Sequence, residues 1–368
     1  MIYFDNSATT PMAPQAIDEF TQYMNESFGN PSSRHALGLD AAKRLGAARE
    51  TIAKKMGAST DEIYFTSGGT EGDNIAVLGG ANIKKGGRVV TTAVEHPAVL
   101  RAMDYLESSG YEVVRIMPQS DGSISPSEIL NAVNEKTSLV SIMHVNNETG
   151  AIMPVDKIGK AIKRIAPRAI FHVDAVQSFG HILFKPSAWD VDTASVSSHK
   201  IHGPKGVGAL YVRKGVSLKP CVFGGGQEKN LRSGTENVGA ICAFAKACEL
   251  IDYTEAQKVL EIKNFLKSSL LEIEGTVLNG GENDSPYILN ISFGKIRSEI
   301  LLNAFSNEGI YVSSGSACAS GHHGSHVLDA MKAPLPDSAI RFSFSRYNTI
   351  DEGKKVAEAA KRITAQLA

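Results

Sequence analysis

Between residues 60 and 214, seven short runs rich in β-branched and aromatic residues alternate with amphipathic segments. The runs are "EIYFT" (62–66), "RVVTTAV" (88–94), "EVVRIM" (112–117), "SLVSIMHV" (138–145), "AIFHVDA" (169–175), "TASVSS" (193–198) and "GALYVRK" (208–214). The segments between them carry a helical period. In "DKIGKAIKRIA", Ile158, Ile162 and Ile165 recur at i, i+4 and i+7, and Asp156 is placed to cap the start. Strands alternating with helices at this spacing imply βαβ units and an α/β fold with a mostly parallel, seven-stranded sheet. Ligands of such sheets bind beyond the carboxyl ends of the strands. The unusual polar clusters fall at those ends: "TSGGTEGDN", "EHPAV", "NNETG", "DAVQ" and "SSHK".

After residue 252 the texture changes. A long helical segment, "TEAQKVLEIKNFLKSSLLEIEG", leads to shorter strand runs at 288–293, 310–315 and 339–344, and "DEGKKVAEAAKRITAQLA" closes the chain as a helix. This reads as a smaller α+β domain. We expect a large domain over residues 14–252, and a small one formed by 1–13 and 253–368. Net charge is −1, which implies no field for nucleic acid. No apolar run approaches the ~18 residues of a membrane helix, and "MIYFDNSATT" lacks the basic start and apolar core of a signal peptide. The four cysteines form no CxxC pair, so free thiols in a reducing cytoplasm are expected.

Several strand-end residues can carry chemistry. Gly68, Gly69 and Thr70 sit between a strand and a helix that begins near Glu71, where small residues let backbone N–H groups approach an anion; an ordinary Gly-rich turn capped by Thr70 fits as well. No P-loop pattern is present. Asp174 and Gln177 in "HVDAVQ" can serve a ring nitrogen and a ring oxygen of a flat cofactor, or Asp174 can simply cap a helix. His96 in "VEHPA" can stack on such a ring, act as acid–base, or be structural. Lys200 follows a strand ending in Ser197, Ser198 and His199, a setting that desolvates an amine and prepares it as a nucleophile, whereas Lys205 after Gly203 and Pro204 reads as solvated. Cys318 in "VSSGSACASGHHGSHVL" has Ser, Ala and Gly flanks without apolar periodicity, as an exposed reactive thiol requires. Cys242 and Cys248 lie in an Ala-rich helix and read as packing residues. Cys318 with His322, His323 and His326 is also a conceivable metal loop, though the spacing matches no zinc pattern.

Taken together, "YFDNSATTP" (3–11), "FGNPSSRHALG" (28–38), "TSGGTEGDN", "EHPAV", "HVNNETG", "HVDAVQS", "SSHKIHGPKGVGALYVR", "RSGTEN", "SSGSACAS" and "IRFSFSRYNT" resemble the cysteine desulfurases. These are pyridoxal-phosphate-dependent class V aminotransferases of fold type I. The resemblance covers nearly the whole chain, and "SSGSAC" is similar to the long-loop type. It implies pyridoxal 5'-phosphate as cofactor, Lys200 as the lysine that carries it, Asp174 on the pyridine nitrogen, Gln177 on the ring oxygen and His96 stacked on the ring. It implies a phosphate site of Gly69, Thr70, Ser197 and His199, completed by Thr235 from the other subunit of a homodimer. Asn147 and Arg341 would hold the substrate carboxylate, and Cys318 would take the sulfur of L-cysteine as a persulfide for an acceptor protein of iron–sulfur assembly or thiolation. Two departures bear on that acceptor: "GHHG" stands before "SHVL", where relatives more often have an acidic residue and proline, and the chain ends at "KRITAQLA" without a docking extension. A selenocysteine lyase of the same fold, and a metal carrier using the Cys318 loop, are the alternatives. Colour separates the second of these, because zinc is colourless.

Overall fold

The computed structural model describes residues 1–81, 86–314 and 324–367. The chain enters through strand β1 (Ile2–Tyr3) and helices α1 (Pro14–Glu26) and α2 (Ala36–Met56). The alternation follows as β2 (Ile63–Thr66), α3 (Gly69–Ala81), β3 (Arg88–Thr92), α4 (Pro97–Ser108), β4 (Glu112–Ile116), α5 (Pro126–Ala132) and β5 (Thr137–Met143). It continues with α6 (Val155–Ile165), β6 (Ile170–Asp174), β7 (Thr193–Ser197) and β8 (Gly208–Val212). Helix α7 (Val238–Glu249) leads into α8 (Glu255–Leu271), β9 (Thr276–Leu278), β10 (Ile288–Phe293), α9 (Ser298–Asn307) and β11 (Ile310–Tyr311). The last elements are α10 (His326–Met331), β12 (Ala339–Ser343) and α11 (Ile350–Leu367).

All seven expected runs enter one sheet, in the order β2-β8-β7-β6-β5-β3-β4. It is parallel except for β8, which runs antiparallel to β2 and β7. Strands β5 to β8 are buried along their whole length, as a sheet covered on both faces requires. The chain steps outward from β3 to β4 and returns on the other side of β3 as β5, so the order reverses there. A crevice opens at such a reversal, because neighbouring connections leave in opposite directions.

A second sheet, β12-β10-β9, is antiparallel and packs with α8, α9 and α11. Its core contains Phe4, Leu266, Phe293, Phe305, Phe342 and Val356. The N-terminal residues join this part: β1 pairs with β11, and Asp5 bridges to Ser343. Helix α10 does not follow its neighbours, since Val327, Leu328 and Met331 pack into the core of the large sheet.

Local details differ from the sequence reading. Asp156 does not cap α6: Pro154 occupies that position without a side-chain bond, and Asp156 lies in the first turn, where its charge still meets the positive helix end. Ile158 and Ile162 are fully buried, but Ile165 is 36% exposed because the helix ends there. Helix α3 starts at Gly69, so Thr70 is inside it and not its cap. Of the run at 310–315, Ile310–Tyr311 forms a strand and Ser313 adds a single bridge to Arg341. No described helix is long and apolar enough to cross a membrane.

Candidate active site

A cavity of about 400 Å³ lies at the carboxyl ends of the parallel strands. It brings together Gly69, Thr70, His96, Asn147, Asp174, Gln177, Ser197, His199, Lys200 and Arg341, residues drawn from five strand ends and from β12. Thr235 is exposed and does not line it. Cys318, His322 and His323 lie outside the described residues.

Each side chain arrives by its own route. Asp174 is the last residue of β6, and its Oδ1 accepts the N–H of Val176 at 2.9 Å. Three residues on, Gln177 donates from Nε2 to the Ser7 carbonyl at 3.0 Å. His96 caps α4: its Nδ1 accepts the N–H of Ala98 at 3.2 Å, which leaves the ring's other nitrogen to carry the proton. Lys200 ends a single 3-10 turn after β7, and its Nζ donates to the carbonyls of Ser7 and Ala8, the latter at 2.9 Å. The N-terminal segment thus closes over the lysine. Its Thr9 hydroxyl meets His199 Nδ1 at 3.1 Å, and Thr10 Oγ1 donates to the His199 carbonyl at 2.9 Å. On the far wall, Arg341 donates from Nη1 to the Asn147 carbonyl and from Nη2 to Asp5, both at 2.9 Å, and its buried Nε has no partner among the described residues.

The turn after β2 comes so close to its neighbours that side chains are excluded. A Cβ on Gly69 would lie 2.5 Å from Val176 Cγ2, and one on Gly208 would lie 2.8 Å from the Gly68 Cα. This leaves backbone N–H groups at the first turn of α3 facing the cavity, a setting suited to an anion.

The floor is buried and rich in titratable groups. Burial pushes Asp174 up to about 7, with the nearby carboxyl of Asp73 adding to the shift and His96 opposing it. Burial likewise raises Asp73 to about 7, and His172, within 3.2 Å of it, is held down at about 4. His96 is lowered chiefly by burial and by the Lys200 charge, against the pull of Asp174. His199 falls to about 4 through burial and the charges of Lys200 and Lys205. A buried carboxylate at a cavity floor, its pKa held up by burial, favours a positive charge in whatever binds above it.

Sequence reasoning passed over several members. Glu95, beside His96, is fully buried; its Oε1 accepts from the Thr92 hydroxyl at 2.7 Å and the Met143 N–H at 3.0 Å, and burial raises it well above the usual carboxylate range. Glu148 of "NNETG" is buried at the rim and accepts the Ser325 hydroxyl at 2.5 Å. For Glu95 a signal was available, a charge directly after the apolar run that ends at Val94; Glu148, in the polar "NNETG", gave none. His326 donates from Nε2 to the Glu95 carbonyl at 3.0 Å, and among the described residues no group of three or more His, Cys, Asp or Glu side chains is placed to hold a metal.

The fold and this lysine–carboxylate site define a class, and the comparisons agree with it. Residues 2–356 match the family described as Aminotransferase class-V. The chain belongs to that family, within the group whose curated members are named cysteine desulfurases. The cysteine desulfurase IscS of Methanosarcina thermophila is 40% identical over 375 residues, covering 100% of this chain and 92% of that protein. A solved NifS-like protein superposes with a TM-score of 0.93 at 39% identity, covering 99% of both chains, and shares the fold-type-I α/β arrangement. SspA, solved in complex with cysteine, superposes with a TM-score of 0.84 at 33% identity over 95% of this chain and 100% of that one.

Proposed function

We propose that this protein is a pyridoxal-phosphate-dependent cysteine desulfurase that converts L-cysteine to L-alanine and takes the sulfur as a persulfide on Cys318. The observation that carries this is Lys200 and the buried Asp174 lining one cavity with His96 at the crevice of the sheet. The residues fit the cofactor. Asp174 is a buried carboxylate in want of a cation, which a protonated pyridine nitrogen provides. The Gly69 turn, Thr70, Ser197 and His199 form a cradle for phosphate, and Gln177 is placed for the ring oxygen.

Bound there, pyridoxal phosphate supplies an electron sink for the electrons of the substrate α-carbon. The chain's own groups do the rest. Arg341 and Asn147 hold the substrate carboxylate, which the Nε of Arg341, without a partner among the described residues, supports. Lys200 would hold the cofactor and, as a free amine, would take the α-proton within the enclosed site. His96, whose pKa is lowered by burial and by the Lys200 charge, would pack on the cofactor ring and take the proton of the substrate thiol. The Cys318 thiolate attacks the substrate sulfur; an S–S bond forms as the C–S bond breaks, the β-carbon takes up the proton given up by the substrate thiol, the α-carbon takes back the proton held by Lys200, and alanine leaves.

In the same reading the protein is a homodimer in which Thr235 completes the partner's phosphate cradle, and an acceptor protein receives the persulfide sulfur. The domain division at 13/14 and 252/253 is supported by the two main apolar cores, apart from α10 and Ala339, which pack with the large sheet, and Val145, which packs with the small one. A cytoplasmic location is supported by the unpaired state of Cys221, Cys242 and Cys248. The test is borohydride reduction of the holoenzyme followed by peptide mapping, alongside an assay of alanine and sulfide from L-cysteine. The pyridoxyl label is expected on Lys200. A label on the exposed Lys205, or no alanine, would overturn the proposal.

A further inference from the structure

We propose that Arg232 is a positioning residue for the partner subunit's cofactor site, and that Glu71 is the anchor that holds it. This rests on the dimer proposed above, in which Thr235 serves the other subunit. Thr235 stands exposed on the loop 222–237, away from its own chain's cavity. Three residues before it, Arg232 donates from Nε to Glu71 Oε1 at 2.9 Å. The other oxygen of Glu71 accepts the N–H of Ser67, in the turn that enters the chain's own phosphate cradle. One carboxylate therefore ties two things together: the turn that serves the chain's own site and the loop offered to the partner. Burial works against the charge of Glu71, but Arg232 and the Ser67 N–H outweigh it and hold the carboxyl below its usual range.

The loop is rooted as firmly on its other side. Glu228 forms a two-pronged pair with Arg49 at 2.7 and 2.8 Å and also accepts the Phe65 N–H of β2 at 2.8 Å. Glu228, Lys229 and Asn230 all take left-handed backbone angles, with φ of 47°, 55° and 65°. Such a run is strained for side-chain-bearing residues and persists only where contacts over-determine it. Gly234, at φ 122°, donates its N–H to the Gln227 side chain at 2.9 Å and closes the loop just before Thr235. Both roots lie on the same short stretch, Phe65 to Glu71. The Thr235 hydroxyl is thus fixed in register with its own chain's phosphate turn while it serves the other site.

The test uses two hybrid dimers in which only one chain keeps Lys200. In the first, Lys200→Ala and Arg232→Ala sit on the same chain, so the labelled site receives Thr235 from the altered loop. In the second, Arg232→Ala sits on the chain that keeps Lys200. Each dimer is titrated with pyridoxal phosphate, reduced with borohydride, and the label on Lys200 is counted by mass spectrometry. Half-labelling is expected to need about three- to tenfold more cofactor in the first dimer, the loss of one charged hydrogen bond in a largely buried pair, and to be unchanged in the second. Arg232→Lys, which keeps the charge but loses the planar fork, is expected to recover part of the affinity. Equal loss in both dimers, loss only in the second, or no loss in either overturns the inference. A monomeric holoenzyme that labels normally overturns instead the dimer reading on which it rests.

Discussion

Asp174 is the residue where stability and function most clearly oppose each other. Its folded-state pKa of about 7 stands above the unfolded value of 3.8. Between those values the folded chain holds a proton that the unfolded chain has released, so the stability of the cofactor-free protein falls as pH rises from about 4 to about 7 and stays low above it. Asp174→Asn removes this penalty. The cofactor-free variant is expected to be more stable than the parent at pH 8, by up to about 4 kcal/mol, with the gain vanishing near pH 4. Its affinity for pyridoxal phosphate is expected to fall, because an amide cannot neutralise the ring nitrogen's charge. Urea unfolding of parent and variant at both pH values checks the first part; a gain over the parent no larger at pH 8 than at pH 4 refutes it. Cys318→Ser separates the other two functions. The variant is expected to keep the coloured cofactor and its spectral response to L-cysteine while alanine production is lost, since a hydroxyl forms no persulfide; alanine at the parent's rate would remove Cys318 from the reaction. At this scale the sequence exposed His96, Asp174 and Lys200, because each is polar at the end of an apolar run. It hid Asp73, Glu95 and Glu148, whose burial comes from elements distant in the chain.

Elements were legible where period and length agree, and less so at their ends. Strand runs in the large sheet could be read because strands buried on both faces must be continuously apolar. The two-residue β1 and the three-residue β9 carry too few side chains to show a period. Helix starts such as that of α6 depend on tertiary contacts that no local signal encodes. Gly159 within α6 illustrates the point. In sequence it looks like a helix-weakening glycine, but a Cβ there would lie 1.9 Å from the Trp189 carbonyl oxygen. Trp189 is in turn wedged edge-on against His144 and Phe184, with ring centroids 5.3 and 5.5 Å away, so it has little room to retreat. Gly159→Ala is expected to destabilise the protein by about 2–3 kcal/mol through overpacking, in spite of a helix-propensity gain of about 1 kcal/mol. Gly46 in α2 is the control, since a Cβ there meets nothing within 4 Å. Gly46→Ala is expected to stabilise by up to about 1 kcal/mol. Denaturant midpoints of the two variants should move in opposite directions; the same sign for both would show that helix propensity, and not the Trp189 contact, governs the site.

For the molecule as a whole, a change of texture after residue 252 announced a second packing unit, but the return of residues 1–13 to it is a long-range pairing, β1 on β11 and Asp5 on Ser343. Through that pairing the N-terminal segment reaches Lys200, so the candidate site is assembled from both ends of the chain and its middle. The position of Thr235 extends the same logic beyond one chain. An exposed threonine outside its own cavity contributes to catalysis only if a second copy brings it to one. In a symmetric dimer every site then holds Lys200 from one chain and Thr235 from the other. Lys200→Ala abolishes the site on its own chain. In the proposed dimer, Thr235→Asp would set a carboxylate against the cofactor phosphate and so disable the site on the partner chain by like-charge repulsion. Each variant alone is expected to be inactive. Mixed in equal amounts under conditions where subunits exchange, half of the dimers are hybrids, and each hybrid contains one site with both lesions and one with neither. Alanine production should therefore recover to about a quarter of the parent's rate. If Thr235 served its own chain, every site in the mixture would keep one lesion and nothing would recover. A mixture that remains inactive although mass spectrometry shows hybrids would place Thr235 outside the partner's site.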